Sequence, residues 1–479
     1  MIGFDAHGRR DFEIGGDSSF MRGTQTRSEV LPTPAGLGAL KLFRLMPRFQ
    51  REPLRVFAEL TERFGHVVRM KGLWTAYQIT HPRDIEHVLQ TNSQNYRKGR
   101  QYREFRASIG NGLLISDGEF WRRQRRLAQP AFHRQRINAF GEMMTGAAVE
   151  MLARWQTRAA SKEPFNVVTE MMRLTLRIVG STIFGTDLSA ETDHIARSLD
   201  IARAHAIRRM WQPVKLPVTF PTRANRAFLR AIRESEQVIY RMIDARRRGE
   251  VATDDLLSLL MRARDEETGE AMSDEQLRAE AATILTAGHE TTALALSWTW
   301  YLLSQHPEVE ARLHAELDAV LEGGRRRPTV ADLPNLNYTR MVVEEAMRLY
   351  PPVWVIGRTA IADDEIGGYR VEANSEVVMC QYVTHRHPEF WDDPEKFDPE
   401  RFLPERVAAR PRYAYFPFGG GPRQCIGNNF ALMEAQLVLA CVASRYRLRL
   451  APGQHVEPEA SITLHPRRGI RMTLESRHR

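Results

Sequence analysis

The sequence predicts a mainly α-helical protein with a small β region, folded as one large domain. Three observations lead there. Apolar residues recur with helical period through most of residues 81–350, and that i, i+3, i+4 spacing marks one buried face per helix. One segment, from Ser273 to about Leu303, becomes apolar nearly all round after Ala281, so other helices must enclose it. Behind Pro351–Pro352 the texture changes to short β-like pieces and long irregular loops. At 43% hydrophobic and 27% charged residues the chain is too apolar to be disordered. No internal repeat and no linker divides it after residue 36.

In chain order, residues 1–30 are polar and lack the apolar stretch of a secretion signal, so they read as a floppy tail before a folded body at 31–479. Leu31–Gly36 is a stiff, proline-containing loop. Pro53 suits the first turn of a short helix ending near Phe64. His66–Gly72 and Thr75–His81 read as two strands around a turn. The helical stretch that follows breaks at Gly110–Gly112, Glu163–Pro164, Gly185 and Trp211–Pro221. Ser273 and Gln276 have the spacing of a capping box at the start of the longest helix. Ile366–Asn374 and Glu376–Thr384 are β-like, a last helix runs from about Cys425 to Ser444, and short strands close the chain.

Ala281–Leu303 has the length of a membrane span, but Gly288, His289, Glu290 and two threonines at its centre would be costly in lipid. A buried helix is expected, and no membrane span. The net charge is +9 from 68 basic and 59 acidic residues. Only six of the basic residues are lysines, and the arginines spread along amphipathic segments without a basic–aromatic module, which excludes nucleic-acid binding. A basic patch for an acidic protein partner stays open. Three cysteines make no disulfide framework, so a reducing compartment, the cytoplasm, is expected. Cys380 and Cys441 read as buried small hydrophobes.

Cys425 differs. It lies in Phe416–Gln436, where an aromatic residue, three glycines, a proline and an arginine lead into a thiol at the expected start of a helix. Free N–H groups and the helix dipole there favour a thiolate. One thiolate without a partner Cys or His is a poor zinc site. In a glycine-rich loop, with Gly427 removing bulk beside it, it suits a single axial ligand to a planar cofactor. At the centre of the long helix, Ala287-Gly-His-Glu-Thr-Thr292 combines a small residue that lets something flat approach with an acid–threonine pair that can hold water.

The segment Phe418-Gly-Gly-Gly421-Pro-Arg423-Gln-Cys425-Ile-Gly427 resembles the haem-binding signature of the cytochrome P-450 superfamily. Ala287–Thr292 resembles its oxygen-activation motif. Glu345-Ala-Met-Arg348 and Pro399-Glu-Arg401-Phe402 resemble its Glu–Arg pair and third arginine, and Trp121–Arg125 its haem-side helix. The similarity spans roughly residues 30 to 475. It implies a cytochrome P-450-like domain with the long helix over the haem, and a soluble, bacterial-type enzyme. The cofactor would be haem b with Cys425 as axial thiolate and metal ligand, and O2 the co-substrate. Phe418, Gly421, Arg423, Gly427, Ala287 and Gly288 would surround the haem, and Trp121, Arg125, Arg358 and Arg423 would hold its propionates. Thr291 would donate protons to bound dioxygen, with Glu290 relaying them through water. Glu345, Arg348 and Arg401 would form a buried structural network fixing the cysteine loop.

The implied reaction is insertion of one oxygen atom into a C–H bond or C=C of a hydrophobic small molecule, such as a terpenoid, fatty acid or macrocycle. Its pocket would draw on Arg100–Ile115, the Ala206–Pro221 lid, Ile284, Ala287, Val353, Trp354, Val355, Ile356, Ile462, Thr463 and Leu464. The lid prolines (Pro213, Pro217, Pro221) and Trp354 suggest a bulky or long substrate. The chain shows no Gly-rich dinucleotide loop after a strand. Electrons would therefore come from a separate ferredoxin or flavodoxin with its reductase, using NAD(P)H only indirectly, and the enzyme would be a monomer. Arg122, Arg123 and Arg126, on the helix of Trp121, would form a basic landing site. A haem-thiolate isomerase or dehydratase, a peroxygenase, and a haem-based sensor or binding protein remain alternatives. The intact Glu290–Thr291 pair argues against the first two, and would be idle in the third.

Overall fold

Asp274–Gln305 is a single helix of 32 residues and the axis of a helical body. Both halves of its capping box form: Gln276 N–H donates to Ser273 Oγ, and Ser273 N–H to Gln276 Oε1. From Thr292 on, nearly every residue is buried, because Val167–Phe184, Asn337–Leu349 and Asn428–Ala443 pack around it. Val167–Phe184 begins where Asn166 accepts from the Val168 N–H, and ends on left-handed Gly185, the ordinary cap at each end. The computed structural model describes residues 31–185, 192–212, 216–249 and 255–477. The expected tail and lid residue Pro213 lie outside them.

The β region packs at one side of this body. A six-stranded sheet runs in the order Gly36–Leu37, Val67–Lys71, Thr75–Ile79, Glu376–Met379, Ile356–Ala360, Tyr96–Lys98. The strands predicted before residue 81 are there, and Thr75–Ile79 pairs parallel to Glu376–Met379. At the edge, Tyr96–Lys98 runs antiparallel to Ile356–Ala360 and sets Lys98 opposite Arg358. A hairpin of Pro458–Ala460 and Leu464–Pro466 closes against the helical body. The helix Pro53–Phe64 begins on its proline as expected.

Three expectations change. The helical stretch after residue 81 contains the edge strand Tyr96–Lys98, whose three residues are too short to show a period. A helix at Ala39–Arg51 precedes Pro53; Leu42, Leu45, Met46 and Phe49 form its inward face, which Pro47 inside it and the outward Leu40 and Phe43 obscure in the sequence. The last helix starts at Asn428, not Cys425.

Candidate active site

The cysteine loop is held by its own backbone. Cys425 N–H donates to Phe418 O at 2.9 Å, and Gly419 and Gly421 both take positive φ. Gly421 is required twice over, because a Cβ there would stand 1.8 Å from Leu89 O. That close approach, rather than contact with a cofactor, is its role, and it does not line the cavity. Cys425 has accessible surface, and it faces an internal cavity that Phe418 and Gly427 also line. Burial pushes the Cys425 thiol up, against the Gly427 N–H, Arg125 and Lys98, which favour the thiolate. The expected activation by the helix N-terminus is therefore corrected: the helix begins three residues later. Cys380 and Cys441 are buried, with thiols pushed up to about 12 by burial, as inert core residues are.

Beneath the loop lies the expected network. Arg348 and Glu345, one turn apart and fully buried, make two hydrogen bonds of 2.7 and 2.8 Å. Arg401 Nε lies 3.4 Å from Glu345 Oε1. Arg348 also donates to the carbonyls of His385, Pro394 and Lys396. His385 then accepts from Phe416 N–H at 3.0 Å through Nε2, so the ion pair reaches the first residue of the cysteine segment. Sequence reasoning missed His385; a lone histidine in an irregular loop carries no signal.

The cavity also gathers cations. Lys98, Arg125, Arg358 and Arg423 all line it. Lys98 and Arg358 face each other across the sheet edge, an arrangement that like charges destabilise. Burial and the neighbouring Arg358 and Arg423 hold the Lys98 ammonium well below its usual range. Arg358 donates to the carbonyl of Gly357 and bonds the Tyr102 side chain, and Arg125 donates to the carbonyl of Gln424. Arg423 is paired with Asp117 and stacks 4.2 Å over Trp121. Among the described residues Lys98, Arg125 and Arg358 have no carboxylate at ion-pair distance, Asp117 being engaged by Arg423, and such a cluster of wholly or partly buried cations calls for an anion. The two carboxylates of a haem, opposite a lone cysteine, meet that need, so the residues fit the group. Lys98 is a residue the sequence reading missed; the hint was a lysine kept in a chain that otherwise uses arginine.

The central helix forms the opposite wall through Ile284, Ala287, Gly288 and Thr291. Gly288 also admits Val179 of the neighbouring helix, 3.3 Å from where a Cβ would be. Thr291 Oγ1 donates to Ala287 O at 2.6 Å. Glu290 is not in the wall, a correction with a simple cause: adjacent helical residues point about 100° apart. Its Oε1 instead accepts from Thr463 Oγ1 and from His465 Nε2, both at 2.6 Å. Although burial opposes it, these partners on the hairpin hold the Glu290 carboxyl down at about 2. The stability this contributes is full above pH 4.5 and is lost as pH falls toward 2. Glu290→Gln is expected to cost on the order of 3 kcal/mol at pH 7 and progressively less below pH 4.5. Urea unfolding of both proteins from pH 7 to pH 3 measures this; a pH-independent difference contradicts it.

The pocket expectations divide. Ile284, Ala287, Val353, Ile356 and, from the Arg100–Ile115 loop, Tyr102, Leu113 and Leu114 line the cavity. Trp354 and Val355 do not: Trp354 donates to Ser461 O and packs on Phe57 in the core beside the sheet. Ile462, Thr463 and Leu464 are also outside the lining, because Thr463 holds Glu290 while Leu464 bonds Pro352 and Trp298. No described residue of Ala206–Pro221 lines it. The arginines of the expected landing site have acidic neighbours: Arg122 pairs with Glu119, Arg123 with Glu270, and Arg126 with Asp265 and Glu267. Among the described residues no helix is long and apolar enough to cross a membrane.

Known proteins resemble this chain. The cytochrome P450 family model matches residues 34–471. Cyclooctatin synthase of Streptomyces melanosporofaciens is 41% identical over 86% of this chain and 89% of its own. Cyclooctat-9-en-7-ol 5-monooxygenase from the same organism is 39% identical over 84% and 86%. The crystal structure of the cytochrome P450DA heme domain superposes with a TM-score of 0.85 at 27% identity, covering 94% of this chain and 99% of that one. A cavity that sets one cysteine against unpaired cations thus has its family: the chain belongs to the cytochrome P450s and is a monooxygenase.

Proposed function

We propose that this enzyme inserts one oxygen atom from O2 into a C–H bond or C=C of a cyclic terpenoid, with haem b held by Cys425. The observation that carries the reading is the single cavity with Cys425 at one wall, three unpaired cations at its rim and a largely apolar lining toward the central helix. The class of substrate follows the relatives' cyclic alkenol chemistry. When bound, haem supplies dioxygen activation, to which a thiolate ligand contributes electron density. Lys98, Arg125 and Arg358 hold its carboxylates by charge-assisted bonds. Apolar residues exclude water, and the Thr291 hydroxyl turns from Ala287 O to donate a hydrogen bond on the oxygen side, passing on protons that reach it from solvent rather than losing its own. Glu290 acts from outside the cavity, anchoring the hairpin to the helix.

Thr291→Ala is expected to bind substrate and accept electrons as wild type does, while product formed per NAD(P)H consumed falls on the order of 100-fold, the low end of a positioned proton donor's contribution. Coupling equal to wild type would assign proton delivery to another group.

Electrons come from a ferredoxin or flavodoxin with its reductase, which draws on NAD(P)H in the cytoplasm. We take the enzyme to act as a monomer. With the Trp121 helix neutralised, the landing site moves to Arg134 and Arg136, exposed and without an acid partner among the described residues, on the short helix beside Phe132 and the cysteine side of the cavity. Reversing both to Glu is expected to slow reduction by an acidic partner several-fold at low salt, and less at high salt. Stopped-flow reduction rates that ignore both reversal and salt would place docking elsewhere.

A further inference from the structure

Away from the cavity, three histidines and a glutamate gather where the first hairpin of the sheet ends. Val67 pairs with Ile79 and Thr80 N–H donates to His66 O at 3.1 Å, a register that sets His66 beside Thr80 and His81. The loop after Gln381–Thr384 docks on the same end. Thr384 Oγ1 donates to Thr80 O at 3.4 Å, and the His387 ring lies 4.7 Å from that of His66. Glu389 Oε2 then stands 2.9 Å from His66 Nε2. One ring nitrogen each from His66 and His387 and one Glu389 oxygen lie within 4.8 Å of one another. Among the described residues no other group of three His, Cys, Asp or Glu side chains does so.

We propose that His66, His387 and Glu389 bind a zinc ion, with water as its fourth ligand. Two imidazoles and a carboxylate favour a first-row transition ion over magnesium or calcium, which take oxygen ligands; three protein ligands and a water are a regular zinc set. Ligands about 2.1 Å from a tetrahedral zinc stand about 3.4 Å apart, so the widest gap closes by at most about 1.4 Å. Turning the exposed Glu389 side chain and the His387 ring supplies that, since the bond recorded for the ring, from Glu389 N–H to Nδ1, is long at 3.3 Å. An outer partner is in place: His66 Nδ1 lies 2.9 Å from Thr80 Oγ1, which leaves Nε2 for the metal. Zinc replaces the proton between His66 Nε2 and Glu389, and that proton leaves to solvent. Phe390 packs on the rings of His66, His81 and His387, while exposed Glu389 leaves the ion a way in. His81 stays outside the ligand set, its Nδ1 accepting from Arg83 N–H. His387 is two residues from His385, which holds Phe416 N–H. The ion thus clasps the loop behind the cysteine segment to the hairpin, and stabilises the folded protein by mass action.

The test uses haem-loaded full-length enzyme, free of any affinity tag and stripped by a chelator, with zinc chloride as the probe. Titration calorimetry is expected to show saturable zinc binding and no binding of magnesium chloride. His387→Gln and Glu389→Gln, both away from the haem, each weaken zinc by about 10-fold or more, while their urea midpoints without zinc stay near that of wild type. His455→Gln, which breaks another surface His–Glu pair, leaves the affinity unchanged. Zinc at about 100 times its Kd raises the wild-type urea midpoint, and raises that of His387→Gln less. No saturable zinc binding, or binding that survives both ligand substitutions, overturns the site. Binding that leaves the urea midpoint where it was overturns the clasp.

Discussion

Cys425→His abolishes the red-shifted Soret band that reduced, carbon-monoxide-bound wild type displays, and retains haem weakly or not at all. Of the three cysteines only Cys425 reaches the cavity. Its sulfur is aimed by the Cys425–Phe418 backbone bond and by two glycines in left-handed conformation. An imidazole is larger, neutral and directed differently from Cβ, so it meets neither the position nor the charge of a thiolate. Activity falls by more than the roughly 10–100-fold that loss of an outer-shell metal partner costs. Absorbance spectra of reduced protein with carbon monoxide, together with haem content per chain, measure both effects. A wild-type spectrum in this variant would remove Cys425 from the site.

Arg348→Ala destabilises the protein by about 3–5 kcal/mol, the cost of stranding one partner of a buried ion pair. The loss is at this scale because Arg348 satisfies Glu345 and three loop carbonyls together. Removing it leaves a carboxylate and those carbonyls buried, and loosens His385, which holds Phe416 N–H. Haem retention therefore falls with the urea midpoint. Arg348→Lys keeps the charge but not the planar fork, and is expected to lie between. An unchanged urea midpoint in Arg348→Ala would show that the network fixes nothing.

What was legible in the sequence had local chemistry behind it. The capping box at Ser273 and Gln276 forms as written, since both bonds lie within one turn. Pro53 and Gly185 mark a helix start and a helix end for reasons of their own backbone. Motif spacing also located Cys425 and the Glu345–Arg348 pair, whose partners are one turn apart. The readings that failed depended on side-chain direction or on pairing between distant segments. Glu290 and Thr291 are neighbours in sequence yet face different surroundings. Trp354 was placed over the cavity but packs on Phe57. Lys98 acquires its role only when a three-residue edge strand sets it against Arg358, 260 positions away. Arg122, Arg123 and Arg126 read as free charge in the sequence, and their pairing with Glu119, Glu270, Asp265 and Glu267 depends on the distant segment that follows residue 264 as well as on their own helix.

The most direct measurement is oxygen-isotope incorporation by the reconstituted enzyme under labelled dioxygen in ordinary water. A terpenoid product carrying one labelled oxygen atom, formed only with reducing equivalents present, is the result predicted. Product whose new oxygen comes from water, or product formed without dioxygen, would contradict a monooxygenase built on Cys425 and Thr291.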